Sequence, residues 1–514
     1  MPAKWLKDTV FYEIYPQSFK DTNGDGIGDL NGIIEKLDYV KSLGCNALWI
    51  NPCYDSPFKD AGYDVRDYRK VAPRYGTNED LYRLFDEAHK KGIRVLLDLV
   101  PGHTSEEHPW FRQSQRAEPN AYSNRYIWTS HWWLGCKDMP YIGGESERAA
   151  TYILNFFKCQ PALNYGFLNV DQPWQLPVDH PDAIATREAM KDVMRFWLSH
   201  GCDGFRVDMA NSLVKYDDAN KSATSAIWRN VREMLDAEFP DAALVAEWSA
   251  PKQALRAGYD ADFCLNNPDT GYATLMRDYE GEGPDNSFFR KDAPARDINR
   301  FLRVYLDWYA DTKDLGYISL ITCNHDTVRP RYGLDYDELK LAYAFLFTMP
   351  GVPFLYYGDE IGMRYQQLPS KEGGYFRTGS RTPMQWDSSK NLGFSDGDAK
   401  NLYLPVDPAA DAPTVAAQQA DPDSLLSTVR ALLKLRHSEE ALQADAPFEV
   451  VSAEAGEPFV YRRGHLLLAV NPSGEARTVE VPVAGRMPLF SIGAGKITGG
   501  NALKLGPQSF VVLK

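Results

Sequence analysis

The feature that most constrains this chain is a short apolar run that stops on a charged residue, and it recurs. Gly204-Phe205-Arg206-Val207 ends on Asp208, Leu244-Val245-Ala246 on Glu247, and Leu320-Ile321-Thr322-Cys323-Asn324 on His325 and Asp326. Val95-Leu96-Leu97 runs through Asp98 to Pro101-Gly102-His103. Runs this short and this apolar read as strands covered on both faces, as in a parallel sheet. Ahead of Asp208, the residues Met190, Val193, Met194 and Trp197 recur at the spacing of a helix face. Helix, tight turn, apolar strand and charged end together form the repeat of an α/β barrel, whose functional groups sit at the C-terminal ends of the strands.

Eight such strands are predicted, over residues 9–15, 47–50, 94–100, 204–207, 243–247, 263–266, 318–322 and 352–357. Helices are predicted over 33–43, 78–91, 189–200 and 422–436. The rhythm lapses after the third strand, in a stretch rich in Trp, Gly and Pro, and a long irregular excursion at such a place is usually functional. Beyond residue 441, short alternating strands such as 466–470 and 510–513 predict a small antiparallel domain. The expected architecture is a TIM (β/α)8 barrel from 1–103 and 171–437. A domain of 104–170 is inserted after strand 3, and a C-terminal antiparallel β-sandwich spans 441–514.

The net charge of −14, with no basic run, argues against nucleic acid or an anionic membrane as partner. No apolar run is long enough to span a bilayer, and no secretory apolar region follows the first residue. The seven cysteines are scattered, odd in number and without zinc spacing. They read as reduced, so the expected location is cytoplasmic.

In a parallel barrel Asp208, Glu247 and Asp326 would converge over the mouth, with His103, His325 and Arg206. Residues two apart on a strand share a face, so Arg206 and Asp208 point into one pocket, where the cation favours the ionised carboxylate. Glu247 follows an apolar run and precedes Trp248, a setting that suits a proton donor. A paired nucleophile and acid are what retaining glycoside hydrolysis needs.

With these residues in place, the chain resembles the α-amylase superfamily, glycoside hydrolase family 13, from Trp5 to its C-terminus. The motifs that carry the likeness are Asp98-Leu99-Val100-Pro101-Gly102-His103, Gly204-Phe205-Arg206-Val207-Asp208, Val245-Ala246-Glu247-Trp248 and Cys323-Asn324-His325-Asp326. The resemblance implies Asp208 as nucleophile, Glu247 as acid/base and Asp326 as stabiliser of the transition state. Arg206, His103 and His325 would then touch the sugar of the −1 subsite. Arg381-Thr382-Pro383-Met384-Gln385-Trp386 is similar to a segment of the oligo-α-glucosidase branch, which also holds trehalose synthases and sucrose isomerases. In Gly62-Tyr63-Asp64-Val65 the likeness implies that Tyr63 stacks on the sugar and Asp64 grips its hydroxyls. Arg377 is expected to pair with Asp64 and close the pocket beyond the non-reducing end.

Residues 21–29 place oxygen ligands at alternate positions, as a calcium loop does. The resemblance implies one structural Ca2+ held by Asp21, Asn23, Asp25, the Ile27 carbonyl and Asp29. Two departures bear on specificity. Ala162 stands where the branch has Asp, and Met209 follows the nucleophile where Val, Ala or Thr is usual. The expectation is a hydrolase of short α-glucosides whose partner is a small oligosaccharide. The alternatives are a trehalose synthase or sucrose isomerase, an α-amylase, and a non-catalytic binding barrel.

Overall fold

The computed structural model describes residues 2–136, 138–265, 267–280, 284–373, 377–482, 485–498 and 501–514. Eight parallel strands form the central sheet: β1 (Phe11–Ile14), β2 (Ala47–Ile50), β3 (Arg94–Leu99), β4 (Gly204–Val207), β5 (Ala243–Ala246), β6 (Ala261–Phe263), β7 (Tyr317–Ser319) and β8 (Phe354–Tyr356). Their order runs from β7 back to β1 and on to β8, and a bridge from Ile321 to Phe354 closes the ring. The strand predicted over 263–266 lies earlier, at Ala261–Phe263. The charged Asp262 within it masks the apolar signal, and Asn266 lies outside the described residues. The helix predicted over 33–43 is two, Leu30–Glu35 and Leu37–Leu43, because Lys36 leaves helical geometry.

Register decides what faces the barrel interior. Glu13 sits beside Trp49, and Asp98 beside Arg206, so the polar residues of four strands share one layer near the C-terminal ends. Beneath them, Phe11 stacks on Phe354 at 4.3 Å, and Phe263 packs edge-on against Phe354 at 4.8 Å, which makes the floor aromatic. Gly204 admits no side chain there: its φ is +143° and a Cβ would lie 2.1 Å from the Ala243 carbonyl. The outer helices bury one stripe each. Asn78–Lys90 starts from a Thr77/Asp80 capping box and buries Leu81, Leu84, Phe85 and Ala88.

Between β3 and β4 lie the short helix Pro109–Ser114 and a two-stranded ribbon, Tyr141–Gly143 with Thr151–Ile153. A bridge from His103 to Ala162 ties this excursion to the barrel, and one from Tyr126 to Leu163 holds it together. At the C-terminus a five-stranded and a three-stranded antiparallel sheet enclose Val460, Leu467, Val479, Leu503 and Val511, as a sandwich does. All seven cysteines are buried and unpaired. Among the described residues no helix is long and apolar enough to cross a membrane.

Candidate active site

Two of the carboxylates expected at the strand ends, Asp208 and Glu247, are joined with Asp98 by one guanidinium. Arg206 on β4 donates to Asp98 Oδ1 at 2.8 Å and to Asp208 Oδ1 at 3.2 Å. Its second terminal nitrogen reaches Glu247 Oε2 at 2.8 Å. The side chains open toward the cleft in order: Asp208 is 11% exposed, Glu247 19% and Asp326 35%, while Arg206 is 1% exposed on the floor. Asp208, the expected nucleophile, is therefore the deepest of the three acids.

Three carboxylates face a single cation here. Burial, and then the neighbouring Glu247, push Asp208 well above the usual carboxylate range despite Arg206. This differs from the expectation that Arg206 alone keeps Asp208 ionised. Met209, next along, takes a φ of +42° and donates its N–H to Glu247 Oε2 at 3.0 Å. Such a conformation is rare outside glycine and persists where surrounding structure holds it.

Asp326 has the opposite surroundings. It accepts from Arg377 and Arg381, each at 2.8 Å, and lies 3.1 Å from His325 Nε2. Burial opposes its charge, but these three cations hold it well below the usual range. Burial likewise opposes the charge on His325, and there Asp326 and Glu13 prevail, raising the imidazole to about 9. His325 is also stacked on Tyr63, with ring centres 5.2 Å apart. The Tyr63 hydroxyl lies 3.0 Å from Asp98 and 2.8 Å from His325.

The expected Asp64–Arg377 pair does not form. The Asp64 carboxylate accepts from the N–H groups of Lys59 and Asp60 and from the Ser56 hydroxyl, so it holds its own loop together. Burial raises it to about 6. Arg377 instead bridges Asp326 and Asp60, whose other oxygen accepts from Gln160 at 2.7 Å. Between Asp60 and Asp64 the chain turns through Ala61 and Gly62, both at positive φ.

His103 is buried beside Tyr63, its Nε2 being 3.2 Å from the Tyr63 carbonyl. The reading from sequence missed Asp98 and Glu13 as site residues, although each is an acid inside an otherwise apolar strand. It also missed Asp60, Trp49, Asn155 and Arg381. Trp49 donates to Asp98 at 3.0 Å and lies under the Arg206 guanidinium.

Residues 21–29 form a loop whose oxygens turn inward. Asp21 accepts from the N–H groups of Asn23, Gly24 and Gly26, Asn23 accepts from Asp25, and Asp25 accepts from Ile27. Asp29 caps the helix that follows and also binds Thr22. Among the described residues no three His, Cys, Asp or Glu are clustered as a metal would require. In chemistry the donor set still fits a hard cation, since every ligand atom offered is oxygen.

A family model described as the alpha-amylase catalytic domain matches residues 13–445. An oligo-1,6-glucosidase of Heyndrickxia coagulans is 32% identical over 93% of this chain and 94% of its own. A trehalose synthase/amylase of Mycobacterium tuberculosis is 34% identical over 86% of this chain and 76% of its own. Among solved structures, the trehalulose synthase of Pseudomonas mesoacidophila superposes with a TM-score of 0.81 at 26% identity, covering 100% of both chains. An isomaltulose synthase variant of Erwinia rhapontici, solved with sucrose, gives a TM-score of 0.81 at 27% identity over 99% of each chain. With the matched span running from within the first barrel strand through the other seven and holding all three acids at the mouth, this chain belongs to the α-amylase family of glycoside hydrolases, in the branch that holds oligo-1,6-glucosidases and trehalose synthases.

Proposed function

We propose that this enzyme releases glucose from the non-reducing end of short α-glucosides, with retention, through a covalent glucosyl intermediate on Asp208. The observation that carries the exo-acting part is the Asp60–Arg377–Asp326 bridge. It joins the Asp60 loop to Arg377 beside Asp326, which supports a pocket closed beyond the non-reducing sugar.

In the proposed sequence, Asp208 Oδ attacks the anomeric carbon as the glycosidic bond breaks, and Glu247 gives its proton to the departing oxygen. Water then enters, Glu247 takes one of its protons, and the hydroxide oxygen displaces Asp208. Arg206 stabilises the ionised form of Asp208 for its attack. The fixed anion Asp326 lies where positive charge develops on the ring. Assaying maltose, isomaltose, sucrose, trehalose, maltoheptaose and starch tests this reading. Glucose from disaccharides with starch untouched is expected. Rapid shortening of starch would show an amylase and sink the exo-acting claim.

A second reading is supported by the likeness to a trehalose synthase and an isomaltulose synthase: the released sugar stays and attacks in place of water. A new disaccharide formed with little free glucose would establish it. Seven unpaired cysteines support a reducing, cytoplasmic location.

The loop at 21–29 is further proposed to take one Ca2+, with Asp21, Asn23, Asp25, Asp29 and the Ile27 carbonyl as ligands. There the ion would supply structural cross-linking, because Asp21 also accepts from Ser395, and Gly26 from Tyr403, tying this loop to a distant segment. Chelation followed by calcium addition should lower and restore Tm. A saturating ion contributes about 2.7 kcal/mol at a hundredfold excess over Kd. An unchanged Tm would rule the site out.

A further inference from the structure

Lys215 is a partly buried cation with no carboxylate partner among the described residues. Lys215 lies in the loop after β4, and its Nζ donates to the Asn155 Oδ1 at 2.9 Å and to the Ser212 carbonyl at 2.7 Å. Among the described residues it forms no ion pair. Burial, with a smaller contribution from Lys221, lowers it to about 8. The mechanism above gives it no task.

Its single side-chain contact leads to the active site. An ammonium group can only donate, so Asn155 must turn its oxygen toward Lys215 and its NH2 the other way. That NH2 lies 3.1 Å from His103 Nδ1 and 3.8 Å from the Met209 sulfur. His103 Nδ1 must therefore accept, which places the imidazole proton on Nε2, where the Tyr63 carbonyl receives it at 3.2 Å. A carbonyl can only accept, so the two ends of the chain of bonds demand the same tautomer. Of the charged side chains only Lys215 acts on His103, and burial holds its imidazole neutral, down at about 3. Every donor and acceptor from Lys215 to Tyr63 is assigned with no ambiguity.

We propose that Lys215 and Asn155 are positioning residues that fix His103 as the neutral Nε2–H tautomer, whose one N–H holds the Tyr63 carbonyl and so sets Tyr63 in the −1 subsite. The inference deepens the reading of this pocket as the −1 subsite and rests on it. Its physical sense lies in Tyr63, whose carbonyl takes the His103 proton and whose hydroxyl meets Asp98 and His325. Lys215 comes from the loop after β4 and Asn155 from the inserted excursion. The bond between them also ties that excursion to the barrel at the point where His103 is set.

The test combines two substitutions with histidine 15N NMR on the whole enzyme. In the wild type the His103 nitrogens should show a protonated Nε2 and a bare Nδ1. Asn155→Asp offers only acceptors to both neighbours, so it should move the proton to Nδ1 and cut kcat/KM by roughly tenfold or more. Lys215→Met frees the amide to flip. It should give a mixed tautomer, with kcat/KM lowered mainly through KM. The wild type should also lose His103 order in a step near pH 8 as Lys215 gives up its proton, a step absent from Lys215→Met. An unmoved Nε2 proton in both variants, or no change at His103 across pH 8 in the wild type, would overturn the proposal. The wild-type titration needs no variant, so misfolded substitutions leave it decidable. A tautomer that shifts as expected while kcat/KM stays level would uphold the wiring and count against the −1 subsite reading instead.

Discussion

The two sides of the catalytic mouth carry opposite charge ratios. Around Arg206, three carboxylates share one cation. Around Asp326, one carboxylate is shared by Arg377, Arg381 and His325. The first arrangement crowds three carboxylates around one cation, so Asp208 rises. In the second, three cations converge on one carboxylate while each also pairs with another acid (Asp60, Glu372 and Glu13), and Asp326 falls. One barrel rim thus holds one carboxylate that favours a proton and one that resists it. Glycoside cleavage needs each: a proton for the leaving group, and an anion that does not titrate as the ring becomes cationic.

The same substitution on the two sides should break this symmetry most visibly. Asp208→Asn should lower kcat by about 10⁴-fold or more, since the nucleophile is gone. It should nonetheless raise stability at pH 7 by about 1–2 kcal/mol, because a buried, crowded carboxylate becomes neutral. Asp326→Asn should lower both activity and stability, leaving Arg377, Arg381 and His325 without their shared anion. Denaturant unfolding and steady-state kinetics on the two variants check the pair. Equal stability changes of one sign would refute the contrast.

His325 sharpens the comparison through pH. Its raised folded-state value means the imidazolium stabilises the fold fully below its unfolded value of about 6.5. That contribution is lost as pH rises through about 9. Between pH 7 and 10 the wild type should lose up to about 3 kcal/mol relative to His325→Gln, measured as the difference between two urea-unfolding series. Parallel curves would mean that the histidine is neutral.

The smallest effect is expected at the bridge. Arg377→Ala leaves Arg381 and His325 on Asp326 and should raise KM for disaccharides about tenfold, near 1.4 kcal/mol, with little change in kcat. Cleavage of maltoheptaose within its chain should appear. A pocket that stays closed to the heptasaccharide would shift the exo-acting role to other residues.

Much of this was legible in the chain alone. The strand at Gly204–Val207 and the acids after β4, β5 and β7 were readable because a buried parallel strand is a short apolar word, and a charge ending it stands out. Asp98 and Glu13 carried a weaker signal of the same kind. β6 was misplaced because Asp262, buried and binding the N–H groups of Trp248, Ser249 and Ala250, is polar for a structural reason. Local pattern cannot tell that acid from a catalytic one.

What the sequence determined by itself was the barrel, the order of its strands and the identity of the three acids, because periodicity and strand ends are local properties. What only the tertiary structure decided was the partnership of each charge. Asp60 and Asp64 stand four residues apart in one loop, and either could be written opposite Arg377. Across the positive-φ turn at Ala61 and Gly62, one carboxylate meets the guanidinium and the other folds back onto its own backbone. The three carboxylates at Arg206 and the three cations at Asp326 arise in the same way, from residues on different strands and loops brought within hydrogen-bond distance. Charge ratio is a property of the assembled pocket, so no reading of single strands contains it.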